Sequence, residues 1–147
     1  MKPLYVLVLS ALLPLSAVAQ EAPAPAFVPL VAAEVTQAEL MWLKRPIVVF
    51  ADSPNDPAFA TQMVMLADDP AALAERDVVV ITDTDPAAKS EWRLALRPRG
   101  FSLVLLDKDL VPELRKPLPW DLREITRAID KFPLRRQEVL EQHPAGR

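Results

Sequence analysis

The chain has 147 residues, a formal net charge of -3 and no cysteine. The length fits one domain, and the mildly acidic balance gives no electrostatic case for nucleic acid, which favours strongly basic surfaces. The absence of cysteine excludes disulfides, thiol redox chemistry, Cys-ligated zinc and iron–sulfur clusters.

The first segment, MKPLYVLVLSALLPLSAVAQ, carries one early charge at Lys2, an apolar stretch from Leu4 to Leu15 and a small-residue end, Ala17-Val18-Ala19. That layout predicts a secretory signal peptide cut after Ala19. Pro14 interrupts the apolar stretch, which is shorter than the ~20 residues that span a bilayer. The expectation is a periplasmic or secreted protein with no membrane attachment after cleavage. Loss of Lys2 reduces the 17 basic residues to 16, against 20 acidic ones.

Residues 20–35 are rich in Pro and Ala and read as an extended linker. Thr36 and Glu39 stand at capping-box spacing, predicting a short helix from about Ala38 to Leu43 with Trp42 packed on the core. PIVVF (Pro46 to Phe50) and VVVIT (Val78 to Thr82) are continuous β-branched runs, as expected of strands buried on both faces. Between them Phe59, Met63 and Leu66 recur at helical spacing. Asp56 caps that helix and Pro57 takes its first position. The Asp-Pro pair recurs at Asp69-Pro70 and Asp85-Pro86, each read as a helix start.

FSLVLL (Phe101 to Leu106) reads as a third strand and LVPELRK (Leu110 to Lys116) as a fourth. Pro112 places that fourth strand at a sheet edge, because proline cannot donate to a ladder. Leu122, Ile125 and Ile129 form the apolar face of a last full helix, ended by Pro133, with a short turn of helix in LRRQEVLEQ. Residues 141–147 read as a flexible tail. Strand, helix, strand, helix, strand, strand, helix is the order of a βαβ unit followed by a ββα unit. It predicts an α/β, thioredoxin-like domain over residues 36–140, with a mixed four-stranded sheet flanked by helices.

Four stretches together resemble domain-of-unknown-function family 4174: WLKRPIVVFADSPNDPAFATQ (from Trp42), ERDVVVI (from Glu75), GFSLVLLDKD (from Gly100) and IDKFPLRRQE (from Ile129). The resemblance implies an exported bacterial protein with a thioredoxin-like fold and brings no established activity. The family's usual Lys-Asp-Gly after the third strand is here Lys108-Asp109-Leu110. In thioredoxins a cis proline precedes that strand and faces the cysteines; Phe101 stands at the matching position, and the dithiol site falls within Pro54 to Ala58.

Three groups of residues are candidates for function. Asp52, Ser53, Asn55 and Asp56 form the turn between a strand's carboxyl end and a helix's amino end, where open α/β sheets bind ligands; the plain alternative is a capped turn. Arg93 and Arg97, four apart, share a helix face and, with Arg99, suit an anion or an acidic surface. Asp130, Arg135 and Glu138 are read as an ion-pair network docking the tail on the domain. His143, the only histidine, lies near the end and reads as a tail residue.

The sequence supports a non-redox module that binds a periplasmic protein or a small ligand, with no cofactor, no metal and no catalytic residue assigned. The alternative is a carboxylate- or metal-dependent enzyme using the Asp52–Asp56 turn.

Overall fold

The computed structural model describes residues 21–144. The expected leader and the last three tail residues lie outside them. Four strands form where the sequence predicts them: β2 (Arg45–Phe50), β3 (Val78–Asp83), β4 (Ser102–Leu106) and β5 (Pro112–Lys116). A fifth, β1 (Leu30–Val31), lies within the segment read as linker. Two residues are too few for any periodicity to reveal. β1 exists because β3 offers it a parallel partner, pairing Leu30 with Ile81 and Val31 with Thr82.

The sheet order is β1-β3-β2-β4-β5. β2 runs parallel to β3, with Ile47 opposite Val80, and antiparallel to β4, with Val49 opposite Leu103. β5 closes the far edge antiparallel to β4, a position at which a proline without an N–H is tolerated. One mixed sheet with helices on both faces is consistent with a thioredoxin-like α/β fold.

Every residue of β2 is buried, and its alternate side chains feed two cores. Ile47 and Val49 face one core with Leu66, Leu73, Leu103, Leu105, Ile125 and Ile129. Val48 and Phe50 face the other with Ile81, Trp92, Leu96, Val104 and Leu106. Helices α2 (Pro57–Ala67), α3 (Pro70–Glu75) and α5 (Leu122–Ile129) supply the first core; α1 (Gln37–Leu40) and α4 (Glu91–Leu96) supply the second.

Four local expectations change. The segment after α1 is a turn, and Trp42 does not pack on the core. It is 63% exposed at φ 65°, with its backbone N–H donating to the Lys108 carbonyl at 2.7 Å. The third Asp-Pro pair opens only a 3-10 turn, Pro86–Ala88, because Lys89 turns left-handed; α4 starts afresh after Ser90, whose Oγ accepts from the Arg93 N–H. Residues 110 and 111 lie outside β5, with Leu110 at φ 61° in the turn before it. Pro133, finally, begins a helix as well as following one: α6 (Pro133–Gln142) has ten residues.

Candidate functional site

The turn after β2 is built from its own hydrogen bonds. Asp56 Oδ1 accepts from the Ala58 N–H at 2.8 Å and the Phe59 N–H at 3.4 Å, capping α2. Ser53 Oγ accepts from the Asn55 N–H at 3.1 Å, and the Asp56 N–H donates to the Ser53 carbonyl. Asp52 and Asn55 are exposed. Among the described residues there is no group of three or more His, Cys, Asp or Glu side chains able to hold a metal ion.

Arg93 lies beneath this turn and ties β2 to β3. Its guanidinium donates to Asp83 Oδ1 at 2.8 Å, to the Asp83 carbonyl at 3.2 Å and to the Ala51 carbonyl at 3.1 Å, 5.4 Å above the Phe50 ring. The buried Asp83 also accepts from Ser90 Oγ at 2.6 Å. Arg93 thus satisfies carbonyls at the strand ends, and its charge is matched by Asp83.

Arg97 caps α4, its backbone N–H donating to the Arg93 carbonyl at 2.9 Å, but it does not continue the helix face that carries Arg93. α4 ends at Leu96 and Arg97 adopts φ 49°, which turns the chain off the helix. Arg97 instead lines a groove of about 510 Å³ with Leu96, Arg99, Phe101, Ser102, Arg115 and Pro117. Ser102 pairs with Phe50, so the groove opens at the same end of the sheet as the turn. Arg115 is held by its Nη2, which donates to the Leu96 carbonyl at 2.6 Å, and by its Nη1, which donates to Ser102 Oγ at 3.4 Å. Among the described residues, Arg97, Arg99 and Arg115 have no carboxylate within ion-pair distance.

Asp130, Arg135 and Glu138 lie in a charged cluster at the opposite end of the sheet. Its centre is Arg45, wholly buried at the start of β2. Arg45 donates at 2.9 Å to Asp107 Oδ1, to Glu138 Oε1 and to the Arg76 carbonyl. Asp107 Oδ2 accepts from the Leu134 N–H at 3.1 Å, so a carboxylate just past β4 serves the first turn of α6, whose own cap residue, Phe132, offers no side-chain bond. Lys108 bridges Asp77 and Glu138 at 2.8 Å each, and Arg76 holds Asp130 at 2.9 Å through two nitrogens. Arg135 is more loosely held, 3.6 Å from Asp130 and 3.7 Å from Glu138.

These contacts shift the acids. The Arg76 hydrogen bonds, opposed by partial burial, hold the Asp130 carboxyl below its ordinary value. Partial burial pushes the Glu138 carboxyl up, but hydrogen bonds from Arg45 and Lys108 outweigh it and leave the group below the usual range. Lys108 is raised, because bonds to Asp77 and Glu138 outweigh its desolvation.

Sequence reasoning did not reach Arg45, Asp107, Asp83 or Arg115. Each stands inside or next to a strand, where a charge takes its meaning mainly from partners 10 to 93 residues away. Gln62 was missed too; buried in α2, it exchanges two hydrogen bonds with the Trp120 backbone, at 3.0 and 2.7 Å.

No curated protein matches the chain. The family model described as Domain of unknown function (DUF4174) matches residues 37–138. Its bounds take in all but the short β1 of the sheet, the turn, the arginine groove and the cluster through Glu138. The chain belongs to the DUF4174 family.

Proposed function

We propose that this chain is an exported, non-redox binding module, carried to the periplasm or the cell exterior by its cleaved leader. It keeps a thioredoxin-like scaffold for the surface at the carboxyl end of β2. One observation carries this reading. Where a dithiol enzyme of this fold keeps its reactive groups, Asp56 is spent on the cap of α2 and Ser53, just before that stretch, on the turn, while Asp52 and Asn55 face solvent. Nothing in that turn is set up as a nucleophile with an adjacent base, the pairing that covalent catalysis requires.

The export half is supported by the charge, apolar run and Ala-Val-Ala end of the first 19 residues. Among the described residues no helix is long and apolar enough to cross a membrane. Sequencing the amino terminus of the protein recovered from its host's periplasm or medium tests this half, and Gln20 is the expected first residue. The binding half is tested by crosslinking the protein in its host and identifying captured species by mass spectrometry. One dominant partner, joined through residues near the turn, is expected. Capture of nothing above background contradicts it.

A further inference from the structure

The groove formed by Leu96, Arg97, Arg99, Phe101, Ser102, Arg115 and Pro117 stands apart from the rest of the charged surface. The groove beside α6 sets Arg76, Arg135 and Arg136 against Glu75 and Asp130, so its charges largely cancel. The groove between α3 and α5 is likewise mixed, with Asp68, Asp69, Asp121 and Glu124 beside Arg123 and Arg127. The Leu96–Pro117 groove has three arginines and no acid in its lining, on a chain whose net charge is -3. A local positive patch on an acidic protein selects and steers an acidic partner.

The chemistry of the lining narrows the ligand. Guanidinium groups present planar donor forks that match carboxylates bidentately. Arg115 spends two of its donors on Leu96 and Ser102, which fixes the side chain and leaves its other N–H groups for a ligand. Leu96, Phe101 and Pro117 give an apolar surface between the charges. A volume near 510 Å³ suits a few side chains rather than a folded domain. The groove also lies at the end of β5, the edge strand, so a chain that enters it can continue past the domain.

We infer that this groove binds an extended acidic peptide segment of a partner protein, with two or more carboxylates held by Arg97, Arg99 and Arg115 and an apolar residue against Phe101. The inference rests on the binding-module reading and gives that module its ligand chemistry.

The test is fluorescence anisotropy of the full protein, purified from its host, with a labelled Glu-Phe-Glu-Phe-Glu peptide at low salt. Saturable binding is expected, together with at least a tenfold loss in 0.5 M salt and no binding of the Lys-Phe-Lys-Phe-Lys counterpart. Arg97→Gln and Arg99→Gln, both at exposed positions, should each weaken binding at least threefold and together abolish it. Arg127→Gln, at a distant surface site, should leave it unchanged; melting curves of each variant report folding. Equal binding by the double variant and the parent overturns the assignment, as does absence of saturable binding. Displacement of the peptide by inorganic phosphate at equal concentration also overturns it, because the groove then reads a free oxyanion rather than a peptide. If the peptide fails while host crosslinking still captures a partner at the turn, only the ligand chemistry falls. If both fail, the binding reading falls with it.

Discussion

Arg45 and Asp107, 62 residues apart in the chain, meet at 2.9 Å with both side chains essentially out of solvent. The pair joins the start of β2 to the residue that follows β4. Through Asp107 Oδ2 and the Leu134 N–H it also fixes where α6 begins. Removing one partner of a buried pair leaves the other charge uncompensated, which costs about 3–5 kcal/mol. Asp107→Ala leaves Arg45 with Glu138 as its one remaining carboxylate, so the expected loss of unfolding free energy in urea denaturation is at the lower end of that range, about 3 kcal/mol. Glu138→Ala should cost less, because that side chain keeps 23% of its surface exposed.

The same cluster sets the pH dependence. Asp130 and Glu138 have folded-state pKa values below their ordinary 3.8 and 4.5. A depressed carboxyl contributes stability that is fully present above its unfolded pKa and is lost as pH falls through its folded value. Thermal melts should thus hold steady from neutrality to about pH 5 and then fall as the medium is acidified through and below that carboxylate range. Lys108 acts in the other direction. Its pKa is raised above the ordinary 10.5, so its contribution is complete below that value and disappears as pH rises through the higher folded one. Asp130→Asn combined with Glu138→Gln should flatten the acid limb and, because Glu138 is one of the two carboxylates that raise Lys108, also weaken the alkaline one.

Asp56 tests whether the turn after β2 is held mainly by its cap. Loss of an Asp cap costs about 1 kcal/mol, so Asp56→Ala should lower stability by that amount, whereas Asp56→Ser should retain most of it. Hydrogen exchange at the Ala58 and Phe59 amides, the two donors to Asp56 Oδ1, should accelerate selectively in the alanine variant.

Trp42 is held at φ 65° while 63% exposed. Left-handed backbone costs a residue with a Cβ about 1–2 kcal/mol, a penalty that glycine escapes. Trp42→Gly should consequently leave stability unchanged or raise it by up to about 1 kcal/mol, as read by the denaturation midpoint. A loss of several kcal/mol would show that the indole is held by packing.

The parts of the fold readable from the sequence were those with strong local signals. Val78–Asp83 and Ser102–Leu106 are continuous apolar runs, and Asp56 and Asp69 announce α2 and α3 through their Asp-Pro pairs. The same device misled at Asp85, where Lys89 in the left-handed region ends the turn before a helix can grow. β1 was invisible because its pairing with Ile81 and Thr82 leaves no mark on two residues following a Pro-rich stretch. At the candidate site, the turn was found from its position between strand and helix. The shared helix face expected of Arg93 and Arg97 does not form, since helical spacing says nothing about a chain that leaves the helix at Leu96. Arg115 drew no notice because β5 is a polar edge strand, and only the fold carries its guanidinium to the Leu96 carbonyl.

The central claim is that the protein works through the sheet end bearing the turn and the arginine groove. Photo-crosslinking residues placed one at a time at Asn55, Arg99 and Trp42, in the protein expressed in its own host, test it most directly. Asn55 and Arg99 belong to that end; Trp42 sits beside Lys108 at the other. The account predicts that the Asn55 and Arg99 positions trap the same dominant partner and that Trp42 traps none. A partner captured at Trp42 alone would contradict it and move the working surface to the far end of the sheet.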